Sequence, residues 1–305
     1  MKRALLLVNR LSREGDADLA AGLQLLSDGG FSLVEVFTTD PQAIPGLLRR
    51  HLHRADMVIV GGGDGTLNTA VQVLVETGLP LGILPMGTAN DLARTLGIPA
   101  SLEAACRLIA AGRTHRIDLG KVNERYFFNA ASIGLAVRVT HHLSPEVKVR
   151  WGVFAYPRAL TAALRENRAF HAEIICDGNR LRQRSIQITV GNGRHYGGGL
   201  TIAEDAVIDD HCLNLYTLAP QSLWRLLRLA PGLRRGTVGN RPGVKLMSGR
   251  EIVLRTRRPY PVDTDGELTT TTPARFRVAA AALPVFVPED YAGGEKGREN
   301  VPVAN

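Results

Sequence analysis

Four short apolar runs, Ala4–Val8, Leu33–Phe37, Met57–Val60 and Leu81–Leu84, alternate with longer stretches of helical spacing over the first third of the chain. Each run is too short for a helix and ends in small or turn-forming residues, which predicts a strand. The intervening stretches Ala17–Leu26, Pro41–His53 and Leu67–Glu76, and after the last run Asn90–Leu96 and Leu102–Ala111, predict helices. Such alternation is satisfied by a parallel sheet with helices on its faces, and ligands of such sheets sit beyond the carboxyl ends of the strands. The two most glycine-rich turns fall there.

From about Gly120 the spacing changes to period two: Ile186, Ile188 and Val190 face one way, Gln187 and Thr189 the other. Leu213 and Leu215, Ile252 and Leu254, and Phe276 and Val278 repeat the pattern, which predicts an antiparallel sandwich or barrel. Helical stretches at Trp151–Arg165 and Ser222–Leu229 interrupt it. At 305 residues the chain exceeds the roughly 100–200 residues of one domain. The expected fold is therefore an α/β N-terminal domain with a parallel, Rossmann-like sheet, followed by a C-terminal antiparallel β-sandwich domain.

Apolar residues make up 45% and charged residues 22% of the chain, which excludes a disordered or collagen-like protein. A formal charge of +8 points to an anionic partner such as nucleotide, nucleic acid or phospholipid. No nucleic-acid-reading module is recognisable, so no nucleic-acid partner is expected. Of the 37 basic residues only five are lysine, a bias that arginine-rich coding also produces. Cys106, Cys176 and Cys212 have neither zinc nor redox spacing and fit a reducing cytoplasm. No apolar stretch reaches the ~20 residues needed to cross a bilayer. Any membrane contact is therefore expected to be peripheral. SLWRLLRL at Ser222–Leu229 sets Leu223, Trp224, Leu226, Leu227 and Leu229 beside Arg225 and Arg228, with Arg234 and Arg235 following. That composition suits an interfacial helix, and equally a core-facing one.

After the strand MVIV comes Gly61-Gly62-Gly63-Asp64-Gly65-Thr66-Leu67-Asn68 and a helical run. The glycines let backbone N–H groups approach phosphate oxygens, and the helix adds its positive N-terminus. Asp64 is a candidate for holding Mg²⁺, and Thr66 and Asn68 for bonding phosphate; an ordinary turn with Asp64 as a helix cap is the plainer alternative. Some twenty positions on, Pro85-Met86-Gly87-Thr88-Ala89-Asn90-Asp91-Leu92-Ala93 leads into a second helix, so two anion-favouring helix ends are expected side by side. Near the C-terminus Asp263, Asp265 and Glu267 alternate and would share one face if extended, although Asp-Gly is also a strong hairpin-turn signal.

GGGDGTLN followed by PMGTANDLARTLGIP resembles the catalytic domain of the diacylglycerol kinase family, in particular bacterial lipid kinases related to sphingosine kinases and, more distantly, to NAD kinases. VNRLSREG, IDLGKVNERYFFNAASIGL, YGGGLTIAEDAVIDDHCLNL and DTDGE continue the resemblance in the family's order over about residues 4–290. It implies a nucleotide-binding domain at 1–120 with an NAD-kinase-like fold, a lipid-binding sandwich at 121–283, a segment at 284–292 that returns to the first domain, and a disordered tail at 293–305. It implies ATP and Mg²⁺ as cofactors and a lipid hydroxyl, diacylglycerol-like or related, as acceptor. A cytoplasmic enzyme of phospholipid metabolism, associated with the inner face of the membrane, is expected. A homodimer through the sandwich domain is compatible with it. An NAD kinase and a catalytically silent nucleotide- or lipid-binding regulator are the alternatives.

Carried over motif by motif, the nucleotide residues are Asn9, Arg10, Leu11, Ser12 and Arg13, then Thr38 or Thr39, then Gly63, Asp64, Gly65, Thr66, Leu67, Asn68 and Thr69, and finally Thr88, Asn90 and Asp91. Arg10 stands where the family commonly has proline. The resemblance makes Glu267 the base, with Asp265 and Asp64 also in the catalytic set. It further implies a structural Mg²⁺ held by Asp210 and the carbonyls of Val207 and Cys212, with His211 replacing the usual glycine, and a supporting role for Asp118 in the active-site Mg²⁺ network.

Overall fold

A computed structural model describes residues 2–11, 16–142, 168–197, 200–201, 207–222 and 241–293, with residues 159, 162, 163, 225, 226, 228 and 232 as isolated positions. Ser12, Arg13, Leu223, Trp224, Leu227, Leu229, Arg234, Arg235, most of Trp151–Arg165 and the tail from residue 294 lie outside the described residues.

The chain opens as β1 (Lys2–Asn9), α1 (Asp16–Asp28), β2 (Phe31–Thr38), α2 (Ile44–His51), β3 (Met57–Gly62), α3 (Asp64–Thr77), β4 (Leu81–Pro85), α4 (Asp91–Thr95) and α5 (Leu102–Ala111). The apolar runs are the strands, as the spacing predicts. The stretch expected as one helix over Pro41–His53 is divided: single 3-10 turns at Pro41–Ala43 and Leu52–Arg54 flank α2. Asp40 starts the first turn by accepting the Gln42 N–H at 2.9 Å. β2, β1, β3 and β4 lie side by side and parallel. Ala4–Val8, Val58–Val60, Leu81, Ile83 and Leu84 are buried with Leu26, Leu48, Leu74 and Ile109 of the helices. Each such side chain stabilises the fold by roughly 1.5–3 kcal/mol relative to leaving it in water.

The second half runs β5 (Thr114–Val122), β6 (Arg125–Phe127), β7 (Ala130–Gly134), α6 (Leu135–His142), β8 (Phe170–Cys176), β9 (Asn179–Ser185), β10 (Gln187–Gly191), β11 (His195–Tyr196), β12 (Leu200–Thr201), β13 (Leu213–Leu218), β14 (Val244–Gly249), β15 (Glu251–Thr256), β16 (Pro261–Thr264), β17 (Glu267–Thr271) and β18 (Ala274–Phe286). Among the described residues an antiparallel sheet runs β14-β13-β10-β7-β16-β17. Its inner face, with Ile133, Ile188, Val190, Leu215 and Val262, packs on Ile174, Ile252, Leu254 and Phe276 of a second antiparallel layer. That layer, β18-β15-β8-β9, continues the sheet that begins with β2.

β18 joins the two halves. Phe276–Ala279 pairs with the end of β5; beyond a register shift between Ala279 and Leu283, Leu283–Phe286 pairs with its start. Val285 is also a parallel neighbour of Leu81 in β4. The polar face of β10 is not exposed. Gln187 and Thr189 are buried, where Gln187 accepts the Ala136 N–H of α6 at 2.7 Å and donates to Thr189 at 2.8 Å. Ile188 and Val190 face the sandwich core as the alternation predicts, but Ile186, just before the strand, packs with Tyr216 and Leu218 in a separate cluster on the other side. α6 covers the polar face that a lone strand would leave to water.

Candidate active site

Glycine at position 63 leaves α3 without a side-chain cap, so the helix's first N–H groups are offered to a ligand rather than to its own chain. Glycine is also a steric requirement here. A Cβ at Gly87 would lie 2.4 Å from the Gly63 Cα, because the turns after β3 and β4 touch backbone to backbone.

Asp64 does cap a helix, but the next one. Its carboxylate accepts the N–H groups of Asp91 at 3.0 Å and Leu92 at 3.1 Å. Of the two helix ends expected to favour an anion, that of α4 is therefore occupied by Asp64 itself. Asn90, at φ 50°, closes the same turn on itself: its oxygen accepts the Gly87 N–H and its amide donates to the Gly87 carbonyl, both at 2.9 Å.

The other nucleotide candidates divide into buried and accessible groups. Asn9 and Thr66 are buried, the Asn9 amide donating to the Thr66 hydroxyl at 3.1 Å, and Leu67 is core. Thr69 bonds back to the Gly65 carbonyl at 2.9 Å. The Thr38 hydroxyl is engaged by the backbone of Asp40, whereas Thr39 is exposed. Gly65, Thr88 and Arg10 are exposed. Arg10 lies 4.6 Å from the Phe37 ring centroid, beside Leu11, which is 65% exposed.

The Asp-Gly near the C-terminus forms the turn between β16 and β17, with Asp265 at φ 49° and Gly266 at φ 94°, the backbone of a tight two-residue hairpin. The three acidic residues therefore do not share an extended face, because the chain reverses between them. Asp265 accepts three consecutive backbone N–H groups, from Phe128 at 2.7 Å, Asn129 at 2.9 Å and Ala130 at 3.0 Å. Burial pushes its carboxyl up to about 7, the three N–H groups oppose that shift, and the Asp64 charge adds to it. Asp263, buried and accepting the Gly266 N–H at 2.9 Å, is pushed up to about 6 by burial and further by Glu267. Glu267 itself is exposed and faces Thr264 across the hairpin.

Asn68 links the hairpin to the glycine loops. Its amide donates at 3.1 Å to the Thr264 carbonyl, 196 residues away, so the start of α3 and the turn carrying Glu267 are held together. The anchoring N–H row at Phe128–Ala130 had no side-chain signal in the sequence; only FFNAASIG marks its place.

Asp118 and Asp210 belong to a different neighbourhood. The buried Asp118 carboxylate accepts the His211 N–H at 2.6 Å and the Ala281 N–H at 2.7 Å, and meets the His211 Nδ1 at 2.9 Å. It holds the 207–212 loop against the irregularity in β18. His211, at φ 58°, adopts the glycine-like backbone and places its ring on Asp118. Asp209 bonds His115 at 2.7 Å, and Asp210 accepts the Cys212 N–H at 2.9 Å. Burial pushes Asp210 up to about 6, with Asp118 and Asp209 adding to the shift. One buried Asp209 oxygen has no hydrogen-bond partner. The unpartnered Asp209 oxygen beside the Asp210 carboxyl offers the oxygen ligation that suits a hard divalent cation, although no cluster of three or more metal-ligating side chains forms among the described residues.

A parallel sheet with an uncapped, glycine-built helix start is thus pinned to a sandwich that presents an exposed carboxylate. Residues 3–122 match the diacylglycerol kinase catalytic domain, and residues 129–287 the YegS C-terminal NAD kinase beta sandwich-like domain. A diacylglycerol kinase of Mycobacterium tuberculosis is 32% identical over 294 residues, covering 92% of this chain and 94% of that one. One from Staphylococcus aureus is 30% identical over 242 residues, 79% of this chain and 77% of that one. A crystal structure from Bacillus anthracis superposes with a TM-score of 0.82 at 25% identity, covering 95% of this chain and 96% of that one. The chain belongs to the diacylglycerol kinase catalytic-domain family, and its activity is that of a kinase. Among the described residues no helix is long and apolar enough to cross a membrane.

Proposed function

We propose that the protein is an ATP- and Mg²⁺-dependent lipid kinase that transfers the γ-phosphate of ATP to the hydroxyl of a diacylglycerol-like lipid at the inner face of the membrane. The Asn68 bond to Thr264 carries this reading, because it sets an exposed carboxylate beside a helix start suited to phosphate. Residues 1–120, with the end of β18, serve the nucleotide, and residues 121–283 serve the lipid. The backbone N–H groups at Gly63–Thr66 cradle phosphate oxygens, Thr88 adds a hydroxyl, and Arg10, Leu11 and Phe37 flank the base. Glu267 accepts the acceptor hydroxyl's proton as the oxygen attacks phosphorus. Asp64 and Asp265 position these groups through their backbone bonds. Mg²⁺, when bound, would supply charge neutralisation at the transferring phosphate, and Val207, Asp210 and Cys212 would hold a second, structural ion.

Purified protein given [γ-³²P]ATP, Mg²⁺ and a total bacterial lipid extract should label lipid. Glu267→Gln should lower kcat by about 10²–10⁴-fold, the usual worth of a general base, with melting temperature unchanged because Glu267 is exposed. No labelled lipid from a protein that binds ATP normally would refute the assignment.

A further inference from the structure

A cavity of about 500 Å³ lies away from the glycine loops. Ala130, at one end of β7, bonds Asp265. Gly134, at the other end, pairs with Gln187, next to Ile186 of the cavity wall. Four residue steps along the strand separate the two ends by roughly 13 Å. The walls include apolar Ala169, Ile186, Pro220 and Leu226, together with Arg168 and Arg184. Ile186 and Leu226 also pack in a small apolar cluster with Tyr216 and Leu218.

The arginines here differ from their neighbours. On β9, Arg180 and Arg182 are paired with Glu173 at 3.4 and 3.0 Å. Arg184, on the same edge strand, faces His171 in the ladder and has no carboxylate partner among the described residues. Arg168 has none either, and both are exposed. Arg225 and Arg228, flanking Leu226, are exposed as well. No described acidic side chain lines the cavity. Uncompensated guanidinium groups favour phosphate. Apolar walls contribute nothing to holding a free phosphate ion, but they bury the glyceryl and first methylene groups of a phospholipid.

We propose that this cavity is a holdfast for an anionic phospholipid of the membrane, with its phosphate between Arg168 and Arg184 and its glycerol end against Ile186, Pro220 and Leu226. It shares no residue with the transfer site and requires no nucleotide. It would keep the enzyme on an anionic bilayer while the hairpin works on a different lipid.

The test is co-sedimentation of the full chain with phosphatidylcholine vesicles with or without about 30% phosphatidylglycerol, without ATP, so that kinase activity does not enter the result. The protein should sediment with the anionic vesicles. Arg168→Glu with Arg184→Glu should weaken partitioning by about tenfold or more, since each basic group near an anionic surface counts substantially. Arg180→Glu with Arg182→Glu makes the same charge change on paired arginines and should cost about threefold or less. Should the first pair fail to fold, judged by its thermal melt, Arg168→Gln with Arg184→Gln should weaken partitioning in the same order relative to Arg180→Gln with Arg182→Gln. Equal losses from the two pairs would overturn the proposal in favour of a general basic surface. Release by inorganic phosphate, at an ionic strength matched with chloride, would overturn it in favour of a free-phosphate site.

Discussion

Asp64-Gly65 begins α3 in the parallel half of the molecule, and Asp265-Gly266 turns the β16–β17 hairpin in the sandwich half. In both, the carboxylate accepts backbone N–H groups from a distant segment: two from α4 in the first, three from Phe128–Ala130 in the second. The surroundings differ. Asp64 is half-buried at a helix end, which already favours a negative charge. Asp265, equally half-buried, lies between the hairpin and the β6–β7 connection with no helix end beside it, and desolvation pushes its carboxyl up to about 7. In neither turn is the motif aspartate the exposed group. Each fixes a neighbour that is exposed: Gly65 at the uncapped start of α3, and Glu267 on the hairpin. The acidic motif residues thus divide into two staples and one exposed carboxylate.

Truncating the staple with more backbone partners should have the larger effect. Asp265→Ala leaves three N–H groups without an acceptor. At about 1–3 kcal/mol per unsatisfied buried group, offset by some rehydration, the expected loss in urea unfolding is about 4 kcal/mol. Asp64→Ala strands two N–H groups rather than three and should cost about 2 kcal/mol. Equal losses would erase the contrast between the turns. Both variants should also lose kinase activity, whereas Glu267→Gln loses activity alone.

The hairpin's buried Asp263 should also make stability depend on pH. Asp263 is raised from 3.8 to about 6, so between about pH 4 and 6 the native state holds a proton that the unfolded chain releases. Unfolding free energy therefore falls as pH rises through that window, by on the order of 3 kcal/mol from this group, and levels off above it. Asp263→Asn should flatten that part of a urea-midpoint series taken at stepped pH. A series as steep as the parent's would show that Asp263 titrates normally. Weakest of all, Asn68→Ala removes one hydrogen bond between the halves and should cost about 1 kcal/mol. Its larger effect should fall on kcat rather than on ATP affinity, if the bond's role is to align hairpin and loop.

The pattern of apolar spacing located β1 to β4 and the helices between them to within a few residues, because burial on one side of a strand or helix is written in neighbouring positions. The glycine turns were legible for the same reason: a run such as Gly61–Gly63 has few local conformations to serve. GGGDGTLN with PMGTANDLA, and DTDGE far downstream, were enough to indicate the chemistry and nominate Glu267. The partners of the motif residues were not legible. Nothing around Asp64 announces that its carboxylate closes α4, and nothing around Asp118 announces His211 and Ala281, 93 and 163 residues away.

By itself, then, the sequence determined the element order of the parallel half, the phosphate-suited turns and the family. The tertiary structure alone decided which helix end stays open, which carboxylates become staples, how β18 joins the two halves, and that Arg168 and Arg184 meet at one cavity. The physical reason is range. Periodicity and turn preference are settled within a few residues, whereas a hydrogen-bond acceptor or a cavity wall is settled by whichever distant segment the packing brings alongside.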